Sequence, residues 1–594
     1  MFFFKAPDSW GFSTSRVEDY LKQSKIKDLA TSKAWLRLGH YKKNIFGEWQ
    51  SALRGNFFLA PDGYKNPAAE LDETLKSFFK DGPEETHAQC RYLARFEWLK
   101  QNLTIHPDDV FSCKEKEEWK KKFDATGVSL IFASADTASA ASIYGHTFIK
   151  IIGRNQEHDR DLLNYGVNYA ARATDQEGLF YALKGLFGFY QGGYAMLPYH
   201  EKIREYVNVE GRDIWEYRLN INQKQLNQLI NHLLELTDSW SPYYFAWDNC
   251  SYQLLSLLEV ANEDLDLVSK FNFFVIPLDT IKVVSRSPGL VTHKKIRRSL
   301  KKDFTENYSQ LSRSQKSTVK RLIESENLQL DDSFSKTEKA AVLDSAMKLY
   351  SLKSYQDGTE YKEEKYKLMI ARSQYGPSDE TTQTKPRSPD ETHDSSGVYF
   401  GAGQEQNRDF ASFKIRTAFH DLISPDESLF EFSHNEVLSA DIRYFANPYQ
   451  LDLQNFTLVD LLTSRAISDL EQPLSWKIQV YTEPKLSPHL QTGFGYSVDF
   501  SMLNKSRFIG LVGAQLEKSR VGIGPDLFFI YRLHDCLGIM TNYRGSWNNK
   551  DYFSHWNVQM GIPLSQQMEF RLEFKQNEKF ENEWQARILK QFIL

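Results

Sequence analysis

The chain has 594 residues, long enough for several domains, with 41% hydrophobic and 25% charged residues and a net charge of -5. That balance supplies no basic field for nucleic acid, and no run of about 20 apolar residues is present to form a transmembrane helix. Aromatic residues are the anomaly: 41 Phe, 30 Tyr and 12 Trp make 14% of the chain, a surplus that suits large β-surfaces and interfacial girdles better than a helical enzyme.

In chain order, the first ten residues lack a basic n-region and an apolar h-region, so no signal peptide is expected and an exported protein would be seen here in its mature form. Residues 1–118 read as a helical N-terminal domain, with apolar residues at helical spacing over 16–32, 33–52 and 67–79. Pro67 suits a first helical position, where its missing N–H costs nothing. Cys90 and Cys113 lie close in sequence. A disulfide in an oxidising compartment and two reduced structural thiols both fit that spacing. Neither belongs to a CxxC unit, and no His/Cys cluster has zinc spacing, so no metal is expected.

Residues 119–289 are mixed. Strands are expected over 128–134, 146–152 and 162–170, with helices over 222–236 and from Cys250 onward. Residues 290–377 are charged and helical in period. Residues 378–397 have almost no apolar side chain and read as a flexible linker.

From 398 to 594 the period changes to two. Met568, Phe570, Leu572 and Phe574 alternate with Glu569, Arg571, Glu573 and Lys575. About a dozen such segments follow one another, each near the ~9–11 residues that a tilted membrane strand needs. The expectation is a closed, antiparallel, up-and-down barrel of about twelve strands in an outer membrane, its first strand paired with its last. Trp476, Phe494, Trp556, Phe570 and Trp584 should face lipid, and Lys477, Asp499, Arg571 and Glu573 the lumen. The rival is a soluble two-sheet sandwich with those aromatics inside. The expected turns are short at both ends of the barrel.

Chemistry concentrates in the mixed region. Aromatics lead into Asp248-Asn249-Cys250, and LLSLLEV follows at helical spacing. Cys250 is thus expected at a helix N-terminus, where free N–H groups and the macrodipole favour a thiolate. Against this stands the common fate of a lone cysteine, burial as a structural thiol. His146 follows Tyr-Gly and opens an apolar strand, where it could act as the base for a helix-borne Cys. Asn164 and then Asn168, on the 162–170 strand, are candidates to orient it. Tyr144, Asn249, Tyr194 and Tyr199 are expected to line the substrate site, with Gly192-Gly193 in an adjacent loop. Arg212, Asp213 and Glu216 read as a salt-bridged strand end.

His before Cys reverses the usual papain-like order. It resembles the circularly permuted NlpC-type papain-like proteins, in which a strand His precedes an Asn-Cys pair opening a later helix. More closely, YGHTF (144–148), LNYGVNY (163–169), GGYAMLPYHEKIREY (192–206), RDIWEYRLN (212–220) and DNCSYQLL (248–255) together resemble the Lnb N-terminal periplasmic domain family, over about 120–285. That family is named for a bacterial lipoprotein N-acyltransferase. The resemblance implies Cys250 as nucleophile and His146 as base. The chain departs from the acyltransferase plan outside this domain, where a barrel stands in place of C-terminal transmembrane helices.

The expected fold is therefore α+β and multidomain: N-terminal helical region, permuted papain-like domain, helical insert, linker and barrel. The expected function is cysteine-dependent acyl transfer at the outer membrane on lipid or lipoprotein, with the catalytic domain in the periplasm and no cofactor. The alternatives are a cysteine peptidase or amidase acting on cell-wall peptides, and a non-catalytic papain-like binding module on a barrel.

Overall fold

Helix signals near the N-terminus are local and strong. Ser32 caps Lys33–Leu38 by accepting the Trp35 N–H, and Asn66 caps Pro67–Phe78, with Pro67 in its first turn. The computed structural model describes residues 14–593 except 136–143, 155–157, 173–183, 326–327, 377–385, 425–431, 469, 484–486, 501–504, 518–519, 535, 549–551 and 578–580. Helices Thr14–Ile26, Lys33–Leu38, Pro67–Phe78 and Leu93–Asn102 close over Trp35, Leu71, Leu75, Phe78, Phe96 and Leu99.

The single helix expected over 33–52 stops at Leu38. Gly39 ends it, His40 takes φ 50°, and Tyr41–Lys43 (β1) pairs with Trp49–Ser51 (β2) as a hairpin. The turn is built by Asn44, whose Oδ1 accepts from the Phe46 and Glu48 N–H groups, and by Gly47 at φ 80°. Apolar residues at helical spacing did not outweigh this turn chemistry. Cys90 and Cys113 form a disulfide with Cα atoms 5.3 Å apart, buried against Leu93, Phe111 and Leu234.

The middle of the chain forms an eight-stranded antiparallel sheet. Its strands are β3 (Arg54–Gly55), β4 (Ala125–Ala133), β5 (His146–Gly153), β6 (Tyr165–Ala171), β7 (Tyr190–Pro198), β8 (Ile214–Leu219), β9 (Ser239–Tyr243) and β10 (Val291–Arg297), in the order β10-β8-β4-β5-β6-β7-β9-β3. Central β4 and β5 are buried almost throughout, which explains their nearly continuous apolar runs. Helices Gln223–Glu235 and Cys250–Ala261 pack on the sheet, and Tyr199, Ile203 and Tyr206 cover Ile131, Phe148 and Ile214. Gly192 and Gly193 lie within β7, not in a loop. Glycine is needed at 192 because a Cβ would stand 2.3 Å from the Tyr169 hydroxyl. The region expected to be helical from 290 opens instead with β10, which adds an edge to the sheet beside β8. Helices Leu300–Ser309, Arg313–Glu324, Lys336–Asp357 and Lys362–Ser373 follow.

The C-terminal unit is a closed barrel of twelve antiparallel strands, β11 (Ser396–Glu405) to β22 (Asn582–Phe592) in sequence order. Closure is made by β11 against β22, with Val398 opposite Lys590. The faces sort as expected. Phe494, Trp556 and Trp584 are exposed and Trp476 and Phe570 half-buried, while Lys477 and Arg571 are buried within. Glu573 is half-buried, and Asp499 is exposed at the barrel's rim, bonded to Arg507. Apolar groups outside and charged groups inside are the reverse of a soluble sandwich, and in lipid closure leaves no strand edge unpaired. The interior charges are paired: Arg416 with Glu436 (2.7 Å), Arg587 with Asp441 (2.6 Å) and Lys477 with Asp526 (2.9 Å).

The expected linker is shorter than its composition suggests. Residues 377–385 lie outside the described residues, but from Ser388 the chain is largely buried in the barrel unit. His393 stacks on His420, Lys282 donates to the His393 carbonyl, and Asp394 N–H reaches Gln567 (2.9 Å). Polar residues are buried here because each finds a polar partner.

Candidate active site

Asn249 has extended backbone and caps the helix Cys250–Ala261, its Oδ1 accepting from Ser251 N–H (3.1 Å) and Tyr252 N–H (3.2 Å). Cys250 is therefore the first helical residue, and its own N–H donates to the Tyr243 hydroxyl (3.3 Å). Within the helix, Gln253 donates to Asp248 (2.6 Å) and its carbonyl accepts from Tyr194 (2.9 Å), fixing the helix start against β7.

His146 is the first residue of β5, opposite Ala133 of β4. The preceding Gly145 has φ 82°, and a Cβ there would stand 2.4 Å from the Phe132 ring. Glycine alone fits that turn on both counts. The His146 Nε2 lies 2.7 Å from Asn168 Oδ1. With Nε2 so engaged, Nδ1 is the nitrogen left for the hydrogen bond between His146 and Cys250. The hydroxyls of Thr147 and Ser251 are 2.8 Å apart, and Ser251 Oγ stands 3.8 Å from Cys250 Sγ.

Burial pushes the Cys250 thiol up. Against it act the charge of His146, a hydrogen bond from it, the Thr147 N–H and the Ser251 hydroxyl, which together hold the thiol at about 6. For His146, burial acts downward, but the Cys250 thiolate and the bonds to Cys250 and Asn168 outweigh it and raise the imidazole above its ordinary value. The pair thus favours thiolate and imidazolium together. Tyr243, raised by burial and then by the neighbouring Cys250, stays protonated and can donate.

Of the two asparagines named for His146, Asn168 makes the contact and Asn164 does not occupy that place. The β5–β6 register pairs Ile149 with Val167. Continued, it sets His146 level with Ala170, and Asn164 lies six positions further along, roughly 20 Å at ~3.3 Å per residue. Asn164 instead accepts from Gly153 N–H (3.1 Å) and donates to the Asp161 carbonyl (2.8 Å).

The four residues expected to line the site divide similarly. Tyr144 is half-buried beside Gly145. Tyr194 is half-buried, packed on Tyr169 and bonded to Gln253. The Asn249 side-chain oxygen is engaged by the helix cap, and Tyr199 is 1% exposed in the core. Arg212 bonds Glu210 (2.7 Å), Asp213 bonds Lys302 (3.0 Å) and Glu216 bonds Lys150 (2.5 Å), a structural ion-pair set. Sequence reasoning missed Tyr243, Thr147 and Ser251. Tyr243 stood in the aromatic lead-in to Cys250, but only the fold turns β9 back to the helix start. Among the described residues, no group of three or more His, Cys, Asp and Glu could hold a metal ion.

Residues 115–287 match the family model described as the Lnb N-terminal periplasmic domain. Residues 27–102 and 386–590 match two further models, each described as a domain of unknown function. No curated protein matches the chain. Among solved structures, the barrel is similar to one titled "KdgM porin" at 8% identity, covering 33% of this chain and 99% of that one, with a TM-score of 0.22. A NanC porin matches at 6% identity over 33% of this chain and 100% of its own, TM-score 0.22. The outer membrane protein Omp33 of Acinetobacter baumannii matches at 8% over 34% and 99%, TM-score 0.20. The membrane placement rests on the barrel's own closure and facing. Residues 115–287 are thus an Lnb N-terminal periplasmic domain, and the chain that carries them ends in an outer-membrane β-barrel.

Proposed function

We propose that this protein is a cysteine acyltransferase acting on lipid or lipoprotein at the outer membrane. The observation that carries the reading is the Cys250–His146–Asn168 series at a capped helix start, with the thiol held at about 6. In the first half-reaction the Cys250 thiolate attacks an ester carbonyl. The Tyr243 hydroxyl, which lies against Cys250, donates to the developing oxyanion in this reading, and the imidazolium gives its proton to the departing alcohol. A thioester on Cys250 remains. An acceptor amine or hydroxyl then attacks it, its proton passes to His146, and Cys250 leaves as thiolate. Asn168 holds the imidazole throughout.

Transfer is favoured over hydrolysis by burial: Cys250 is 3% exposed, so water competes poorly with a bound acceptor. Intact mass after incubation with native membrane lipids tests the proposal. Wild type should gain the mass of an acyl chain and Cys250→Ala should not. Equal labelling of both, or none of wild type, would refute it.

A further inference from the structure

The barrel's two ends are unlike. At the end where β11 begins and β22 finishes, the connections include residues 421–433 and 464–474. At the far end they are 406–407, 447–448, 484–486, 518–519, 548–551 and 577–581. The expectation of short turns at both ends fails at the first of these.

The first of these long connections brings apolar side chains inward. Leu422, Ile423 and Phe432 are each at most 5% exposed, packed on lumen-facing Ile509, Leu511, Phe528, Ile530 and Met540. A water-filled lumen does not call for this row of apolar residues on its inner wall. They are buried because Leu422, Ile423 and Phe432 pack over them.

Three features show that the seat is built for this segment. Asp421 Oδ1 accepts from Ile423 N–H (3.1 Å) and Ser424 N–H (3.0 Å), which fixes the turn, and Arg571 inside the barrel bonds the same carboxylate. Arg532 donates to the Leu422 carbonyl (2.8 Å), and its guanidinium and that of Arg507 each lie 4.7 Å from the Phe432 ring. Glycines make the room. A Cβ on Gly538 would stand 2.6 Å from the Ile423 carbonyl oxygen, and one on Gly561 3.1 Å from Ile423 Cδ1.

We propose that this barrel is a closed membrane anchor and not a conduit: the turn Asp421–Ser424, through Leu422 and Ile423, and Phe432 together seal the lumen, so no ion or solute path crosses the membrane through it. The inference is independent of any chemistry at Cys250. A stationary seal needs no gating, and its bonds come from three separate strands of the wall, through Arg507, Arg532 and Arg571, so it is part of the barrel's fold.

The test is single-channel recording of the full chain in planar lipid bilayers in potassium chloride, with folded insertion shown by heat-modifiable gel mobility. The native protein should give no conductance steps. Two variants should open it: Gly538→Val, which fills the Ile423 seat while leaving the connection intact, and the triple change Leu422→Ser, Ile423→Ser, Phe432→Ser. Steady steps from the native protein would overturn the proposal. Silence from both variants, each folded in the bilayer, would also overturn it, because the seal would then not be this segment.

Discussion

Replacing His146 with alanine should change the shape of the Cys250 reactivity profile, not merely its height. The thiol stands at about 6 against an ordinary 9.0, with His146 supplying the largest of the lowering interactions. That difference corresponds to ~4 kcal/mol of preference for the thiolate, at ~1.4 kcal/mol per tenfold. Without the imidazole, only the Thr147 N–H and the Ser251 hydroxyl still oppose burial, and the thiol moves back up toward its ordinary 9.0, taken as the limit of the shift. At pH 7 the thiolate fraction then falls about 90-fold, but the more basic thiolate is about 20-fold more nucleophilic at a Brønsted slope of ~0.4–0.5. The net loss at pH 7 is only about fivefold, and the two profiles should cross near roughly pH 8, with the variant faster above it. The assay is iodoacetamide alkylation of Cys250 followed by mass spectrometry from pH 5 to 10. Wild type should inflect at about 6, rising with pH as the thiol loses its proton. A wild-type inflection near that of an ordinary thiol, or a variant inflection unmoved from wild type, would refute the ion-pair reasoning.

Asn168→Ala should slow acyl-enzyme formation by about 10–100-fold through loss of a ~1–3 kcal/mol hydrogen bond to the charged ring, while Asn164→Ala should lower stability and spare the rate; stopped-flow acylation beside a urea melt separates them. Replacing Cys90 and Cys113 with serine should cost about 3 kcal/mol for a bridge spanning so long a loop, read as a lower urea midpoint. Phe494→Arg places a charge on the exposed outer face and should disfavour insertion by about 2–4 kcal/mol if it lies near the midplane, measured by folding into vesicles.

The barrel was readable because a period of two is written in each strand. Phe570 and Arg571 already point to opposite faces, and closure follows once no edge is allowed in lipid. The inward segment at Ile423 was not readable, since its seat is made by glycines more than a hundred residues away. Cys250 and His146 announced themselves through helix and strand starts. The choice between Asn164 and Asn168 turned on β-register, a long-range property that neither local sequence reveals. The hairpin at 41–51 was hidden because its turn residues, Asn44 and Gly47, were outweighed by surrounding apolar spacing.

The order of the cysteines along the chain bears on how the protein matures. A thiol already inclined to ionise is a hazard in an oxidising compartment, because thiolates attack disulfides. Cys90 and Cys113 are separated by 23 positions, and both precede Cys250 in the chain. A chain threaded across the inner membrane from its N-terminus delivers these two together, and they can lock before Cys250 arrives. Once the helix start folds against β5, Cys250 is too enclosed to exchange with the finished bridge. Chain order and burial thus both act against exchange between the Cys250 sulfur and the Cys90–Cys113 bridge.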